Sequence, residues 1–344
     1  MRVLLSGAGG FVGHHTMAHI LETTDWELVV TDSFRHKGLT SRINGVLGEL
    51  LSSAKSRISL VTHDLTVPID AILERQIGKI DAIISMASES HVDRSIETPR
   101  PFIENNIGIL LTLLEFAKKQ RDLKVFLQVS TDEVYGPALG TTRHREWDPY
   151  FPSNPYSASK ASQENLCFAY WRTYGLPMVI TNTMNIIGER QDPEKFLPKI
   201  IRAIRSDDSV NVHAQEISEG KWKSSSRFYL HARSQSDALV YLMNNIDRLK
   251  LYYDQANSIP EKFHIVGEKE FENDQLVNFV AQAMGKKAKI RFEAFHASRP
   301  GHDMRYALNG EKLASFGWKH PEDIEKSIKR TVDWFLSNPD WLTI

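Results

Sequence analysis

The stretch S-G-A-G-G-F-V-G, Ser6 to Gly13, joins the apolar run RVLLS to the helical pattern FVGHHTMAHILE, and its reading decides the fold. Gly7, Gly10 and Gly13 stand three apart at a strand-to-helix junction. Glycines there permit a tight turn, close approach of the backbone to a pyrophosphate and close helix-to-strand packing, while the positive end of the helix faces the phosphate charge. The next apolar run, ELVVTD, ends at Asp32, where a carboxylate suits the ribose hydroxyls of an adenosine. Together these features predict a dinucleotide held by Gly7, Gly10, Phe11, Val12, Gly13 and Asp32. Asp32 repels a 2'-phosphate and favours NAD, although Arg35 and Lys37 lie close by and pull toward NADP. After the third run, RISLVT, come His63, Asp64 and Leu65; Asp64 suits either the adenine or the capping of its own turn. Ala87 closes the fourth run, DAIISMA, on the same side.

Working outward, β-branched runs alternate with helical patterns through the first half: RVLLS, ELVVTD, RISLVT, DAIISMA, KVFLQVS and LPMVITN, with long helices near 98–120 and 155–174. Strands apolar on both faces and separated by helices predict an α/β, Rossmann-type doubly wound parallel sheet. From about residue 186 the runs shorten (SVNVH, RFYLH, KFHIV, AKIRF) and alternate with EKFLPKIIRAIRS and DQLVNFVAQAMG. Residues 1–185 therefore read as the cofactor domain carrying the catalytic residues. Residues 186–344 read as a smaller mixed α/β substrate lobe, interleaved with a late return to the first sheet. The polar, aperiodic stretch EISEGKWKSSS, 216–226, reads as a mobile loop.

Composition narrows the function classes. The 344 residues, 41% of them hydrophobic, are enough for a large buried core. Forty-two basic against 43 acidic residues leave a net charge of −1, so no global field draws the chain to nucleic acid or to an anionic membrane. The one cysteine, Cys167, sits in the apolar helical pattern LCFAYW and reads as a buried thiol rather than a nucleophile. A single cysteine fits a reducing compartment, and MRVLLSGAGG is too short an apolar start for a signal peptide, so the cytoplasm is expected. His14 and His15 are adjacent while His213 and His231 are isolated, so no metal site is expected.

Two further motifs carry chemistry. In PYSASKA, Tyr156 and Lys160 are four apart on one face of a helix. A nearby ammonium and a bound nicotinamide cation both favour a phenolate, which makes the pair a candidate base. STDEVYG follows the buried run KVFLQV and puts Thr131, Asp132 and Glu133 at the carboxyl end of a central strand, where ligands bind in such sheets. Two carboxylates sharing a cleft repel, which keeps one protonated as an acid while the other serves as a base.

The chain resembles the extended short-chain dehydrogenase/reductase family, and within it the nucleotide-sugar 4,6-dehydratases of the dTDP-glucose type. The resemblance is carried in order by SESHVDRSIETP (88–99), STDEVYG (130–136), NPYSASKAS (154–162), PEKFLP (193–198), SRPGHDMRYAL (298–308) and TVDWFLSNPDWL (331–342), across essentially the whole chain. It implies that Tyr156 takes the sugar 4-hydroxyl proton, that Thr131 bonds the same oxygen and that Lys160 holds the nicotinamide ribose. It further implies Glu133 as the base at C5, Asp132 as the acid at the 6-hydroxyl, and NAD that stays bound and is recycled. For a nucleoside diphosphate sugar it implies contacts from Ser90, Asn185, Lys195, Arg227, Arg299 and His302. Sugar 4-epimerases of the superfamily usually lack both acids, which this chain keeps. The chain departs from the family at VNVH, where an aromatic usually packs on the base, and at SRFYLHARSQSD, where Arg227 lacks the acid and tryptophan that usually follow; these departures leave the base open. Apolar excess in LLTLLEFA and LCFAYW, together with the resemblance, points to a homodimer built on those two helices, with core packing as the alternative.

Overall fold

Runs rich in valine, isoleucine and leucine become the strands of a parallel sheet because a strand covered on both faces needs apolar side chains on both. In the computed structural model, which describes residues 1–254, 259–294 and 303–343, these are β1 (Arg2–Ser6), β2 (Glu27–Asp32), β3 (Ile58–Thr62), β4 (Ala82–Ser85), β5 (Val125–Thr131) and β6 (Met178–Thr183). Beyond β7 (Asn185–Ile187) lie β8 (Ser209–Ser218), β9 (Lys221–Ser224), β10 (Ser226–His231), β11 (Glu261–Ile265), β12 (Glu270–Glu272) and β13 (Lys289–Ala294). The large sheet has seven strands in the order β11-β6-β5-β4-β1-β2-β3, and its pairings are all parallel. Strand β11 comes from the second half of the chain and pairs with β6 from Glu261 against Val179 to Ile265 against Thr183. Strand β3 is the far edge; there Ser59 and Leu60 are exposed and only Val61 is buried.

One face of the sheet packs on the helices Phe11–Thr23 and Ala232–Asn244, around Met17, Ile20, Leu239 and Met243. The other packs on Pro99–Lys119 and Pro155–Tyr174, around Leu110, Leu113, Leu114, Phe116, Cys167 and Trp171. Most of the apolar excess in LLTLLEFA and LCFAYW is thus spent in the core. What stays exposed is a stripe at helical spacing on Pro99–Lys119, Ile103 and Leu111 at 40% and 42%, with Ile107 half-buried between them. Helices Thr40–Glu49, Ser52–Lys55 and Val92–Glu97, all short, have no counterpart in the sequence reading.

The second lobe holds two three-stranded sheets, β12-β10-β7 and β13-β8-β9, around Leu197, Ile200, Ile201, Val212, Leu276, Ile328 and Phe335. The stretch 216–226 is not a loop. It supplies the end of β8, the turn and β9, an antiparallel hairpin with an irregularity between Glu216 and Ser218 and a turn through Gly220 at φ +70°. The hairpin hid from sequence reading because residues 215–221 of it are all exposed, so no alternation marks it; its anchor is Trp222, stacked on Phe292 of β13 at 6.0 Å.

Candidate active site

The carboxyl ends of β1, β4, β5 and β6 open into a cavity of about 1340 Å³ that runs into the second lobe. Gly7, Gly10, Phe11, Val12, Gly13, Asp32, Asp64, Leu65 and Ala87 line one part of it. Ser90, Thr131, Asp132, Glu133, Tyr156, Lys160, Asn185, Lys195 and Arg227 line the rest. Arg299 and His302 lie outside the described residues.

The turn after β1 has the shape a dinucleotide requires. Gly7 has φ +76°, and a Cβ there would lie 2.9 Å from the Ala87 backbone. A Cβ on Gly13 would lie 2.0 Å from the Gly7 carbonyl oxygen, so the helix meets the turn with no room for any side chain. Asp32 accepts from the Gly9 amide through Oδ2 and from the Phe34 amide through Oδ1, each at 2.9 Å, which fixes the carboxylate at the mouth of the turn. These residues fit an adenosine dinucleotide. Asp64 accepts from the Thr66 amide and hydroxyl, which makes it a turn cap; it also pairs with Arg35. Three consecutive basic residues reach three separate segments across the rim: Arg35 to Asp64, His36 to Glu89 at 3.0 Å, and Lys37 to Glu194 at 3.2 Å. Arg35 and Lys37 are therefore matched by acids of the chain.

At the end of β5 the chain turns into a short 3-10 helix, Asp132–Tyr135, and the Thr131 hydroxyl caps it, accepting from the Glu133 amide at 3.4 Å. The same hydroxyl donates to Asp132 Oδ1 at 3.0 Å. Asp132 is buried, and among the described residues its Oδ2 accepts no hydrogen bond. Burial, then the neighbouring Glu133 charge, pushes the Asp132 carboxyl up to about 7 against the hydrogen bond from Thr131. Two adjacent acids thus sit in one cleft with one of them poised to carry a proton. Asn154 Nδ2 donates to Glu133 Oε2 at 3.1 Å while its Oδ1 accepts from the Ser157 amide, closing a capping box at the start of Pro155–Tyr174. Sequence reading missed Asn154, although Asn before Pro at a helix start is the cap signal that would have found it.

Tyr156 and Lys160 lie one turn apart on that helix and both are buried. The Tyr156 phenol is pushed well above its usual value by burial, then by Glu133, with a hydrogen bond to Thr131 opposing. Lys160 does not offset this: its ammonium donates to the Val129 carbonyl at 2.9 Å and to Gln163 Oε1 at 2.7 Å, and burial lowers it to about 8. On the substrate side, Arg227 is buried and donates to the carbonyls of Ser226, Asp303 and Met304, with its guanidinium 4.7 Å from the Tyr306 ring centre. Lys195 donates to the Ser90 carbonyl at 3.4 Å, which brings those two together, and burial lowers its ammonium. Asn185 is exposed at the start of β7. Cys167 is fully buried, its thiol pushed up by loss of water and by Glu164.

Comparison with known proteins agrees with this geometry. The profile of the GDP-mannose 4,6 dehydratase family matches residues 4–331. The dTDP-glucose 4,6-dehydratase of Shigella flexneri is 31% identical, covering 99% of this chain and 94% of the relative. The low-salt glycan biosynthesis protein Agl12 of Haloferax volcanii is 30% identical, covering 99% of this chain and all of the relative. Among solved structures, a double mutant of DesIV, a dTDP-glucose 4,6-dehydratase from Streptomyces venezuelae crystallised with NAD, superposes with a TM-score of 0.83 at 29% identity, covering 99% of this chain and 98% of its own. The UDP-glucose 4-epimerase of Thermus thermophilus, 24% identical, superposes with a TM-score of 0.80 over 98% of this chain and 99% of its own and shares the fold. With a profile match along nearly its whole length and relatives of 30% identity or more across 99% of it, the chain belongs to the GDP-mannose 4,6 dehydratase family.

Proposed function

We propose that this chain is an NAD-dependent nucleotide-sugar 4,6-dehydratase, a hydro-lyase that converts dTDP-glucose to the 4-keto-6-deoxy sugar with loss of one water. The observation that carries the reading is the pair Asp132–Glu133 in one cavity with Thr131, Tyr156 and Lys160, Asp132 buried and pushed up to about 7. Bound NAD would supply the acceptor for the C4 hydride and return that hydride to C6, so it stays in place and is recycled. The turn at Gly7, Gly10 and Gly13, with Asp32, would hold it. Its positive nicotinamide is what would draw the Tyr156 phenol down, since the charges around that phenol are otherwise acidic.

The side chains divide the work. Tyr156 takes the proton of the sugar 4-hydroxyl as C4 is oxidised, with Thr131 bonding the same oxygen and Lys160 on the nicotinamide ribose. The 4-keto group acidifies C5, and Glu133 removes the C5 proton. Asp132 gives its proton to the 6-hydroxyl, which leaves as water. Once C6 has been reduced, C5 regains a proton, so the net change is loss of water alone. An epimerase needs only the redox half, for which Thr131, Tyr156 and Lys160 suffice. Arg227, Lys195, Asn185 and Ser90 would meet the nucleoside diphosphate, joined by Arg299 and His302. The departures at VNVH and after Arg227 make the base the part of the substrate to test.

Incubation of the purified protein with dTDP-, UDP-, GDP- and CDP-hexoses, read by mass spectrometry, should show loss of water with dTDP-glucose; no loss with any sugar would refute the reading. The enzyme would be a cytoplasmic homodimer, in keeping with its one buried free cysteine, paired through the stripe Ile103–Ile107–Leu111. A monomer by light scattering at micromolar concentration would refute the dimer.

A further inference from the structure

Behind the catalytic strand lies a carboxylate that takes no part in the steps above. Glu164 is fully buried on Pro155–Tyr174, one turn beyond Lys160. It accepts four hydrogen bonds from four different segments. Oε1 accepts from Ser130 Oγ of β5 at 2.5 Å and Asn182 Nδ2 of β6 at 2.7 Å. Oε2 accepts from Tyr150 Oη at 2.5 Å and Lys262 Nζ of β11 at 2.7 Å. A carboxylate with all its lone pairs used by buried donors is fixed in place.

Two of those donors end at Thr131. Ser130 is its neighbour, and Asn182 Nδ2 donates at 2.9 Å to the Thr131 carbonyl. Lys160, for its part, donates to two neutral acceptors, Val129 O and Gln163 Oε1, and among the described residues it makes no ion pair within 4 Å. A buried ammonium needs a counter-charge. Glu164 is the acid acting on it, with Cys167 the other titratable group facing it. Around Glu164 itself stand Lys262, whose ammonium also lies 4.5 Å from the Tyr150 ring centre and 4.6 Å from that of Tyr135, and the phenols of Tyr150 and Tyr135.

We propose that Glu164 is a positioning residue for the oxidation half of the reaction: its carboxylate fixes Thr131 through Ser130 and Asn182 and supplies the negative charge facing Lys160. The proposal rests on Thr131, Tyr156 and Lys160 being the redox group. Lys160, already lowered to about 8, loses that support when the charge is removed, so its ammonium is lost at lower pH.

Glu164→Gln keeps the shape and removes the charge. Because it strands the Lys262 ammonium, Glu164→Gln/Lys262→Met is the partner variant, with Lys262→Met as control. Titration of Lys160 by NMR in lysine-labelled protein, assigned with Lys160→Arg, needs no activity. The midpoint should fall by one pH unit or more in both Glu164 variants and hold or rise in the control. In single turnovers read as reduced cofactor, the alkaline limb of C4 oxidation should move down by the same interval, with the oxidation rate at pH 8 reduced tenfold or more. A Lys160 midpoint unmoved in the folded double variant would overturn the proposal, whether or not any sugar is turned over. A shifted midpoint with no turnover on any sugar would keep Glu164 as the charge partner of Lys160 and fault the reaction assignment instead.

Discussion

In the proposed mechanism, Asp132 is the residue on which the elimination turns. Its Oδ1 is held by Thr131, its Oδ2 has no partner among the described residues, and burial beside Glu133 pushes its carboxyl up to about 7. An acid that must give up its proton is lost as pH rises through its own value, so the elimination step should weaken above about pH 7 while C4 oxidation does not follow the same limb. Asp132→Asn preserves the shape and cannot donate a proton to the leaving hydroxyl. Turnover should fall about 10²-fold or more, the low end of what a placed general acid contributes, and reduced cofactor should accumulate by absorbance on adding sugar. Water loss at the native rate by this variant would remove Asp132 from its role. At this scale the sequence was a good guide to Thr131, Asp132, Glu133, Tyr156 and Lys160 as neighbours in one cleft. The i, i+4 spacing puts Lys160 on the face of Tyr156, and the fold adds that its ammonium donates to Val129 and Gln163.

Among the elements, Pro155–Tyr174 does the most to shape the site. Its start is fixed by Asn154, whose Oδ1 caps the helix while its Nδ2 reaches Glu133. Asn154→Ala should therefore cost about 1 kcal/mol of stability, the usual worth of a cap, and slow turnover as well. Asn154→Ser separates the two roles: serine caps as well as asparagine but has no amide to reach Glu133, so thermal stability should return while turnover stays low. If serine restored both, the bond to Glu133 would have no part in the reaction. The two long helices were legible because each runs for many turns behind a proline in its first turn, whereas the hairpin of β8 and β9 was not, because a ribbon exposed on both faces carries no pattern.

At the scale of the molecule, the two lobes meet around buried histidines. His15 Nε2 contacts the Glu189 carbonyl at 3.0 Å, His231 Nε2 lies 3.1 Å from Glu189 Oε2, and Arg330 of the last long helix donates to Glu189 Oε1 at 3.0 Å. Burial, then the nearby His231, drives His15 from 6.5 down to about 3, and burial also depresses His14 and His264. The unfolded chain binds protons at these sites that the folded chain refuses, so stability should fall as pH drops below 6.5 and continue to fall toward 3. At pH 5 His15 would cost on the order of 2 kcal/mol, and calorimetry should show the melting temperature dropping steadily from pH 7 to 5; a flat profile would refute this.

What the sequence by itself determined is whatever local chemistry specifies: the glycine turn, the alternation that makes a parallel sheet, the acids at a strand end and the Tyr/Lys pair on one helix face. Each depends on residues close along the chain, whose spacing alone sets their geometry. The tertiary structure decided which charges are matched and where. Arg35, His36 and Lys37 each find an acid on a different segment, Arg227 gives its hydrogen bonds to the 303–304 backbone, and Glu164 gathers donors from β5, β6, β11 and Tyr150. Those pairings join residues up to about a hundred and fifty positions apart, and only the packing of the sheet brings them within reach of one another.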